Sequence, residues 1–298
     1  MRLNSLWRDP AKFKYLLQLP LMTVMNFTAM IPFALTWYVG MTNWAPQLTS
    51  NWWEADFLGP LNYIRVIPDD LFLNAIGRTL LFSAICVPVE FLLGFLLAYV
   101  FMGDFFGKKF FVLIAIVPMM VVPAAGGYTF YLMFIKLGPI NGLLNILGFN
   151  SIPFLMVTKW AYVAIILADI WQWTPFIFLI MGAALLGLPQ EPINAAYVLG
   201  ASRWHTFRTV VLPMLRRPTM IALILRTVES FKLFDYPFMM TGGGPGYTTQ
   251  TISMHLYEAG FRYLKYGPTA AQSIVILLTM AIVGFYAVKP LRAAQRGE

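Results

Sequence analysis

Long apolar stretches recur along the chain and alternate with shorter polar segments. Six of these stretches are long enough to cross about 30 Å of hydrocarbon as a helix. The pattern therefore predicts an all-α integral membrane protein with six transmembrane helices. The predicted helices are Leu16–Met41, Thr79–Met102, Phe110–Ile135, Ala161–Leu186, Thr219–Met239 and Ala270–Val288.

Composition supports a membrane protein. Hydrophobic residues make up 59% of the 298 positions and charged residues only 11%, whereas about a quarter of the residues of a soluble domain are charged. The first apolar stretch is about twice as long as the apolar region of a secretory signal peptide, and no small-residue cleavage site follows it, so we interpret it as a retained helix. A single cysteine, Cys86, excludes an internal disulfide.

The basic residues are distributed unevenly between the two sides of the predicted membrane. Thirteen of the 21 lie on the side of the termini and six on the opposite side. By the positive-inside rule, both termini face the cytoplasm. The formal net charge of +8 is then explained by this topology and by anionic lipid headgroups, and it does not indicate nucleic-acid binding. The thirteen are Arg2, Arg8, Lys12, Lys14, Lys108, Lys109, Arg203, Arg208, Arg216, Arg217, Lys289, Arg292 and Arg296; the six are Arg65, Arg78, Lys136, Lys159, Arg262 and Lys265.

A polar segment at residues 188–218 interrupts the apolar pattern on the predicted cytoplasmic side. Two short helical runs, Gln190–Leu199 and Ser202–Leu212, are expected to meet at Gly200. Glycine permits a sharp turn there because it has no side chain. Pro213 and Pro218 then close the segment, since proline disfavours a continuing helix.

This segment resembles the EAA loop of the permease subunits of binding-protein-dependent ABC importers. Asn194 and Leu199 depart from the pattern, which usually has Glu and Asp at these positions. The resemblance implies that an ATPase subunit docks on the loop, with coupling residues Glu191, Ala195, Ala196, Gly200, Ala201 and Ser202. The other matching positions are Leu188, Pro189, Trp204, Phe207, Leu212, Pro213 and Pro218.

Two further segments resemble the carbohydrate branch of these permeases. Phe57–Ser83 is similar to a Gly-x-x-Asn-Tyr stretch that leads into the second helix, and Phe234–Thr251 to a Phe-Asp…Thr-x-Gly-Gly-Pro…Thr signature. The resemblance implies a type I ABC importer permease, multi-pass in a bacterial inner membrane, that translocates a sugar, polyol or related glycoside. The implied partners are a second permease, an ATPase dimer and an extracytoplasmic solute-binding protein. ATP and Mg would bind the ATPase, and this chain would bind no cofactor.

The domain organisation expected from these features has three parts. Residues 1–74 hold the N-terminal tail, the first helix and the first external loop. Residues 75–288 form the ABC-type transmembrane domain, which contains the EAA-like loop, and residues 289–298 form a cytoplasmic tail.

The fourth predicted helix places a mixed polar and aromatic set on one face. The set consists of Asp169, Gln172, Trp173 and Phe176. Counted from Asp169, the other three lie three, four and seven positions further on, which places all four on one helical face. A sugar ring suits such a face, because its hydroxyls form hydrogen bonds and its C–H face stacks on aromatic rings. The alternative is that Trp173, like Trp171, anchors the helix at the membrane interface.

By resemblance, the substrate site also includes the middle of the fifth helix, with Glu229, Ser230 and Leu233. Charged residues recur there every three positions, and a charge at the bilayer centre costs about 2.5–3.5 kcal/mol, so each is expected to face a partner or a cavity. Opposite signs at adjacent steps favour pairing within the helix. Structural ion pairs and a polar pathway lining both stay open at this point. The charged residues are Arg226, Glu229, Lys232 and Asp235, with Glu90 and Asp169 on earlier helices.

Motifs of catalysis are not found in the sequence. The glycine-rich run at 241–246 lacks the Lys-Ser/Thr of a phosphate-binding loop, and the run at 103–109 ends in Lys109. His205 and His255 fall on opposite sides of the predicted membrane, so they cannot form one metal site with Cys86. We therefore expect a transport subunit that is not an enzyme and has no metal site. The alternative is a secondary transporter or membrane-embedded enzyme that uses the carboxylates of Glu90, Asp169 and Glu229.

Overall fold

A computed structural model describes residues 10–295, and within this range the regular secondary structure is helical. Thr42 and Phe57 form an isolated antiparallel bridge. Arg2, Arg8 and Arg296 of the predicted charge asymmetry lie outside the described residues. The α-helices are α1 (Pro10–Met25), α2 (Ile31–Gly40), α3 (Leu61–Val66), α4 (Asp70–Val100), α5 (Lys108–Met120), α6 (Pro123–Phe134), α7 (Pro139–Ile146), α8 (Thr158–Leu186), α9 (Gln190–Val198), α10 (Arg203–Thr206), α11 (Leu212–Met214), α12 (Arg216–Ser230), α13 (Asp235–Thr241), α14 (Ile252–Tyr257) and α15 (Tyr266–Gln295). Wider π-helical turns cover Asn26–Met30, Phe207–Val211 and Glu258–Arg262, and a 3-10 turn covers Trp52–Glu54.

Four helical stretches in the described part of the chain are long and apolar enough to cross a membrane. They confirm the first, second, fourth and sixth predicted helices. The total of six helices and the cytoplasmic location of the termini stay predictions. The four stretches are Leu17–Gly40, Asp70–Val100, Thr158–Leu186 and Tyr266–Tyr286.

The third apolar stretch is broken, so the prediction of one continuous helix over Phe110–Ile135 is wrong. Helix α5 ends at Met120, α6 begins at Pro123, and the chain bends by 95° between them. Val122 is extended, with φ −61° and ψ 127°. A residue before proline is held away from helical angles, which explains the position of the break.

The fifth stretch is broken as well, and the prediction of one helix over Thr219–Met239 is also wrong. Between α12 and α13, the carbonyl of Phe231 accepts a hydrogen bond from Ser253 Oγ at 3.0 Å. The carbonyl of Leu233 accepts one from Thr251 Oγ1 at 2.6 Å. Hydroxyls from a later segment thus satisfy backbone groups that would otherwise cost several kcal/mol each inside a bilayer.

Residues 70–255 and 279–295 form one compact unit. Its interior contains two apolar clusters, and α8 contributes to both. Helices α4 and α8 approach closely at Gly94, where an added Cβ would lie only 2.7 Å from Ile177 Cβ. This close packing brings the polar residues of α4 and α8 within reach of each other.

Residues 10–69 and 256–278 form the other compact unit. Asn62 is buried and its Nδ2 donates to the carbonyls of Gly40 at 3.0 Å and Thr42 at 2.7 Å. Gly267 lies against the same turn, since an added Cβ there would be 2.2 Å from the Thr42 carbonyl oxygen. Asn62 therefore fixes the turn that follows α2.

Candidate functional site

A buried ion triad joins three helices of the larger unit. Arg226 on α12 donates from Nε and Nη2 to the two carboxylate oxygens of Glu90 on α4, at 2.5 and 2.8 Å. Its Nη2 also donates to Asp169 Oδ2 on α8 at 2.5 Å. All three side chains are at most 2% exposed. The expectation that Arg226 pairs within its own helix is therefore wrong, because its partners lie on α4 and α8.

Cys86 lies one turn before Glu90 on α4 and is buried. Its sulfur and one oxygen each of Glu90 and Asp169 lie within 4.8 Å of one another, a spacing that could hold a metal ion. However, the guanidinium of Arg226 already supplies the positive charge that these carboxylates require. The arrangement is an ion-pair cluster.

Trp173 covers the triad from α8. The guanidinium carbon of Arg226 lies 4.8 Å from the centre of the Trp173 ring, a cation–π contact. Trp173 is half-buried and also meets Phe176 edge-on at 5.9 Å. One face of the indole is thus taken by Arg226.

Both the nitrogen and the oxygen of the Gln172 side-chain amide form hydrogen bonds. Its Nε2 donates to the carbonyl of Val121 at 2.8 Å, and its Oε1 accepts from the hydroxyl of Tyr236 on α13. Val121 is the first residue of the break between α5, which ends at Met120, and α6, which begins at Pro123. Gln172 therefore ties together the two broken helical segments.

A cavity of about 190 Å³ lies beside the triad. It brings together five of the seven predicted substrate-binding residues: Asp169, Gln172, Trp173, Glu229 and Leu233. The other lining residues, which sequence reasoning did not assign to the site, are Pro123, Lys232, Phe234, Asp235 and Tyr236. They border the two helix breaks, which were missed because the sequence analysis predicted continuous helices.

The remaining two predicted residues lie elsewhere. Ser230 Oγ is 2.7 Å from Ser83 Oγ on α4 and 2.7 Å from the carbonyl oxygen of Thr227. Phe176 packs against the apolar cluster around Ile177. Both side chains therefore contribute to helix packing.

Two charged features of the cavity matter for ligand chemistry. Lys232 Nζ lies 2.7 Å from Glu229 Oε1, which confirms the predicted pairing within the fifth segment for these two residues. Asp169 Oδ1 is buried and forms no hydrogen bond within residues 10–295. It is an acceptor without a donor.

The glycine-rich segment that follows α13 is anchored to α4 and α8. Tyr162 donates to the carbonyl of Thr248 at 2.6 Å, and Arg78 Nε donates to the carbonyl of Gln250 at 2.7 Å. The backbone N–H of Ile252 donates to Thr79 Oγ1 at 2.9 Å. These bonds hold in place the hydroxyls that satisfy the break before α13.

The EAA-like loop has the predicted helix-turn-helix form, and its second helical run extends from Arg203 to Met214 through the π-helical turn at Phe207–Val211. Gly200 has φ +82°, and the backbone N–H groups of Gly200 and Ala201 donate to the carbonyls of Tyr197 and Ala196, both at 3.0 Å. This bonding is the Schellman motif, in which glycine ends a helix. Ser202 Oγ accepts from the N–H of His205 at 3.2 Å and so caps α10.

The surface of this loop is unusually apolar. Val198 and Leu199 are 87% and 86% exposed, and Trp204 is exposed beside them. The loop itself is held against α4 by Phe207, whose ring meets that of Tyr99 at 5.3 Å. Of the six predicted coupling residues, Ala196 and Ala201 are half-buried and the others are exposed: Glu191, Ala195, Gly200 and Ser202.

Residues 73–291 match the family described as binding-protein-dependent transport system inner membrane components. The chain belongs to this family. The permease is 32% identical to the trehalose/maltose transport system permease protein MalF of Thermococcus litoralis, over 92% of this chain and 90% of that protein. It is also 32% identical to the sulfoquinovosyl glycerol transport system permease protein SmoG of Agrobacterium fabrum, over 78% of this chain and 76% of that protein.

The fold of the permease is similar to that of a solved structure. A bacterial ABC transporter involved in the import of the acidic polysaccharide alginate aligns with a TM-score of 0.82, 19% identity, and coverage of 97% of this chain and 99% of that chain. The family assignment confirms the predictions of a type I permease fold, an inner-membrane location and a transport subunit that is not an enzyme.

Proposed function

We propose that this permease translocates a sugar, polyol or related glycoside as part of an ATP-driven importer. The observation that carries the proposal is the cavity between α8 and the broken fifth segment, where hydrogen-bonding groups and an indole meet. Sugar ligands need this combination. The trehalose/maltose and sulfoquinovosyl glycerol relatives support the same class of cargo.

The partners of the permease follow from the same proposal. A second permease completes the pathway, a solute-binding protein delivers the sugar, and an ATPase dimer holds ATP and Mg. The ATPase docks on residues 188–218, and the exposed Val198, Leu199 and Trp204 support this role. Closure of the ATPase dimer moves the loop and, through it, the transmembrane helices.

A secondary transporter or membrane enzyme is the weaker alternative. It would use Glu90, Asp169 and Glu229 as proton carriers, but the first two are buried and bonded to Arg226, and Glu229 is paired with Lys232. A carboxylate held in this way is better suited to fixing helix positions than to exchanging protons with water. The triad therefore favours the importer.

Uptake by the reconstituted importer tests the proposal. The complex is placed in proteoliposomes with ATP inside and its binding protein outside, and uptake of radiolabelled maltose, trehalose and glycerol is measured. Trp173→Ala is expected to reduce uptake of the transported sugar about tenfold, which corresponds to a contact worth about 1.4 kcal/mol, and to leave basal ATP hydrolysis near wild type.

Two variants serve as controls. Trp173→Phe keeps an aromatic face and is expected to recover most of the uptake. Trp171→Ala removes an indole that packs on Phe130 at 5.3 Å and lies outside the cavity, so uptake should stay near wild type. Absence of ATP-dependent uptake of every carbohydrate tested would refute the proposed function.

A further inference from the structure

The cavity has more acidic than basic groups on its walls. Three carboxylates line it, those of Asp169, Glu229 and Asp235, together with one ammonium group, that of Lys232. Lys232 Nζ is already paired with Glu229 at 2.7 Å. Asp235 forms no ion pair within the described residues.

The cation next to the cavity, Arg226, is also paired with carboxylates. Arg226 is bound by both carboxylate oxygens of Glu90 and by Asp169 Oδ2. Together, the cavity and the triad contain four carboxylates and two cations, and each of these two cations has a carboxylate partner. An anionic ligand in the cavity would therefore meet more negative than positive charge.

The carboxylates on the cavity walls can accept hydrogen bonds but cannot donate them. Asp169 Oδ1 is buried without a hydrogen-bond donor, and a buried acceptor without a donor is costly. The amide of Gln172 is used by Val121 and Tyr236. A hydroxyl of a sugar can donate to the partly exposed carboxylate of Glu229, whereas a phosphate, sulfonate or carboxylate oxygen would be repelled by it.

We propose that this cavity selects an uncharged, polyhydroxylated ring and rejects anionic sugars, and that the Glu229–Lys232 pair determines this selectivity. The inference rests on the proposed carbohydrate transport. A volume of about 190 Å³ is below the roughly 300–1,000 Å³ of pockets for drug-sized ligands, which suits one ring at a time. The permease then differs from its sulfoquinovosyl glycerol relative, whose cargo carries a sulfonate.

Ligand binding to the importer in nanodiscs, without the binding protein, tests the proposal. The probes are radiolabelled methyl α-glucoside, maltose and trehalose, each compared with its counterpart oxidised to a carboxylate at C6. Wild type is expected to bind at least one neutral sugar and to bind its acidic counterpart at least about tenfold more weakly. Glu229→Gln frees the ammonium of Lys232 and should raise the ratio of acidic to neutral binding about tenfold.

Two further variants make the result specific. Glu229→Gln combined with Lys232→Met removes the freed ammonium and should restore rejection of the acidic sugar. Asp104→Asn neutralises an exposed acid outside the cavity and should leave the ratio unchanged. Equal binding of neutral and acidic sugars by wild type, or an unchanged ratio in Glu229→Gln, overturns the selectivity. If neither kind of sugar binds and uptake is also absent, the proposed function fails together with the inference.

Discussion

The buried ion triad and the EAA-like loop differ in how completely the chain satisfies its own side chains. In the triad, Arg226 finds both of its acidic partners on neighbouring helices and all three groups are buried. In the loop, Val198 and Leu199 are 87% and 86% exposed. The triad is complete within one chain, whereas the loop leaves apolar side chains exposed, as the proposed docking of the ATPase requires. Substitutions in the two regions should therefore fail at different stages, folding in one and coupling in the other.

The largest effect is expected at Arg226. Arg226→Met leaves two carboxylates buried without a cation, and breaking a buried ion pair from one side destabilises a protein by about 3–5 kcal/mol. We expect little monodisperse protein after detergent extraction, as measured by fluorescence-detected size exclusion.

A triple variant separates charge from packing at this site. Arg226→Met combined with Glu90→Gln and Asp169→Asn removes every charge of the triad, and it should recover protein yield relative to Arg226→Met alone. A wild-type protein yield for Arg226→Met would contradict a role of the triad in folding. The triad would then tolerate substitution as well as the loop does.

A smaller effect, confined to coupling, is expected at Gly200. Gly200→Val places a β-branched residue at φ +82°, a strain of about 1–3 kcal/mol. The loop turn should be lost while membrane yield stays normal, so ATPase co-purification and uptake should fall. Gly200→Asn is the matched control, because asparagine tolerates left-handed angles. Normal ATPase binding by Gly200→Val would remove the loop from the docking site.

The smallest effect is expected from single cysteines that report on which side of the membrane the EAA-like loop and the glycine-rich segment lie. In a Cys86→Ala background, Ser202→Cys marks the loop and Tyr247→Cys marks the exposed part of the glycine-rich segment. An impermeant maleimide applied to intact spheroplasts should label Tyr247→Cys and not Ser202→Cys, since six helices with cytoplasmic termini place them on opposite sides. Labelling of both would contradict this topology.

Local features of the molecule could be predicted from the sequence, and long-range ones could not. The turn at Gly200 was predictable because its hydrogen bonds join residues within about one helical turn. The partners of Arg226 were not, because Glu90 and Asp169 lie 136 and 57 positions away. Three-residue spacing correctly paired Glu229 with Lys232 and wrongly extended the same rule to Arg226.

The helix breaks show the same limit. In the third stretch, Pro123 indicates an interruption, whereas the high hydropathy of the stretch favours a continuous helix. The break before α13 depends on hydroxyls of Thr251 and Ser253, which come from a segment that has to fold back first. Cavity residues that border the breaks, such as Lys232 and Asp235, were therefore assigned to a helix and not to the site.

The bonding of Gln172 has a consequence for anyone who wishes to retarget the importer to a new cargo. Gln172 faces the cavity, yet its amide holds the carbonyl at the 95° bend and the hydroxyl of Tyr236. Replacing Gln172 would remove the hydrogen bonds that join the bend after α5 to α13. Glu229 and Lys232 are partly solvent-exposed and paired with each other. Variant libraries should therefore start from these two positions and keep Gln172 fixed.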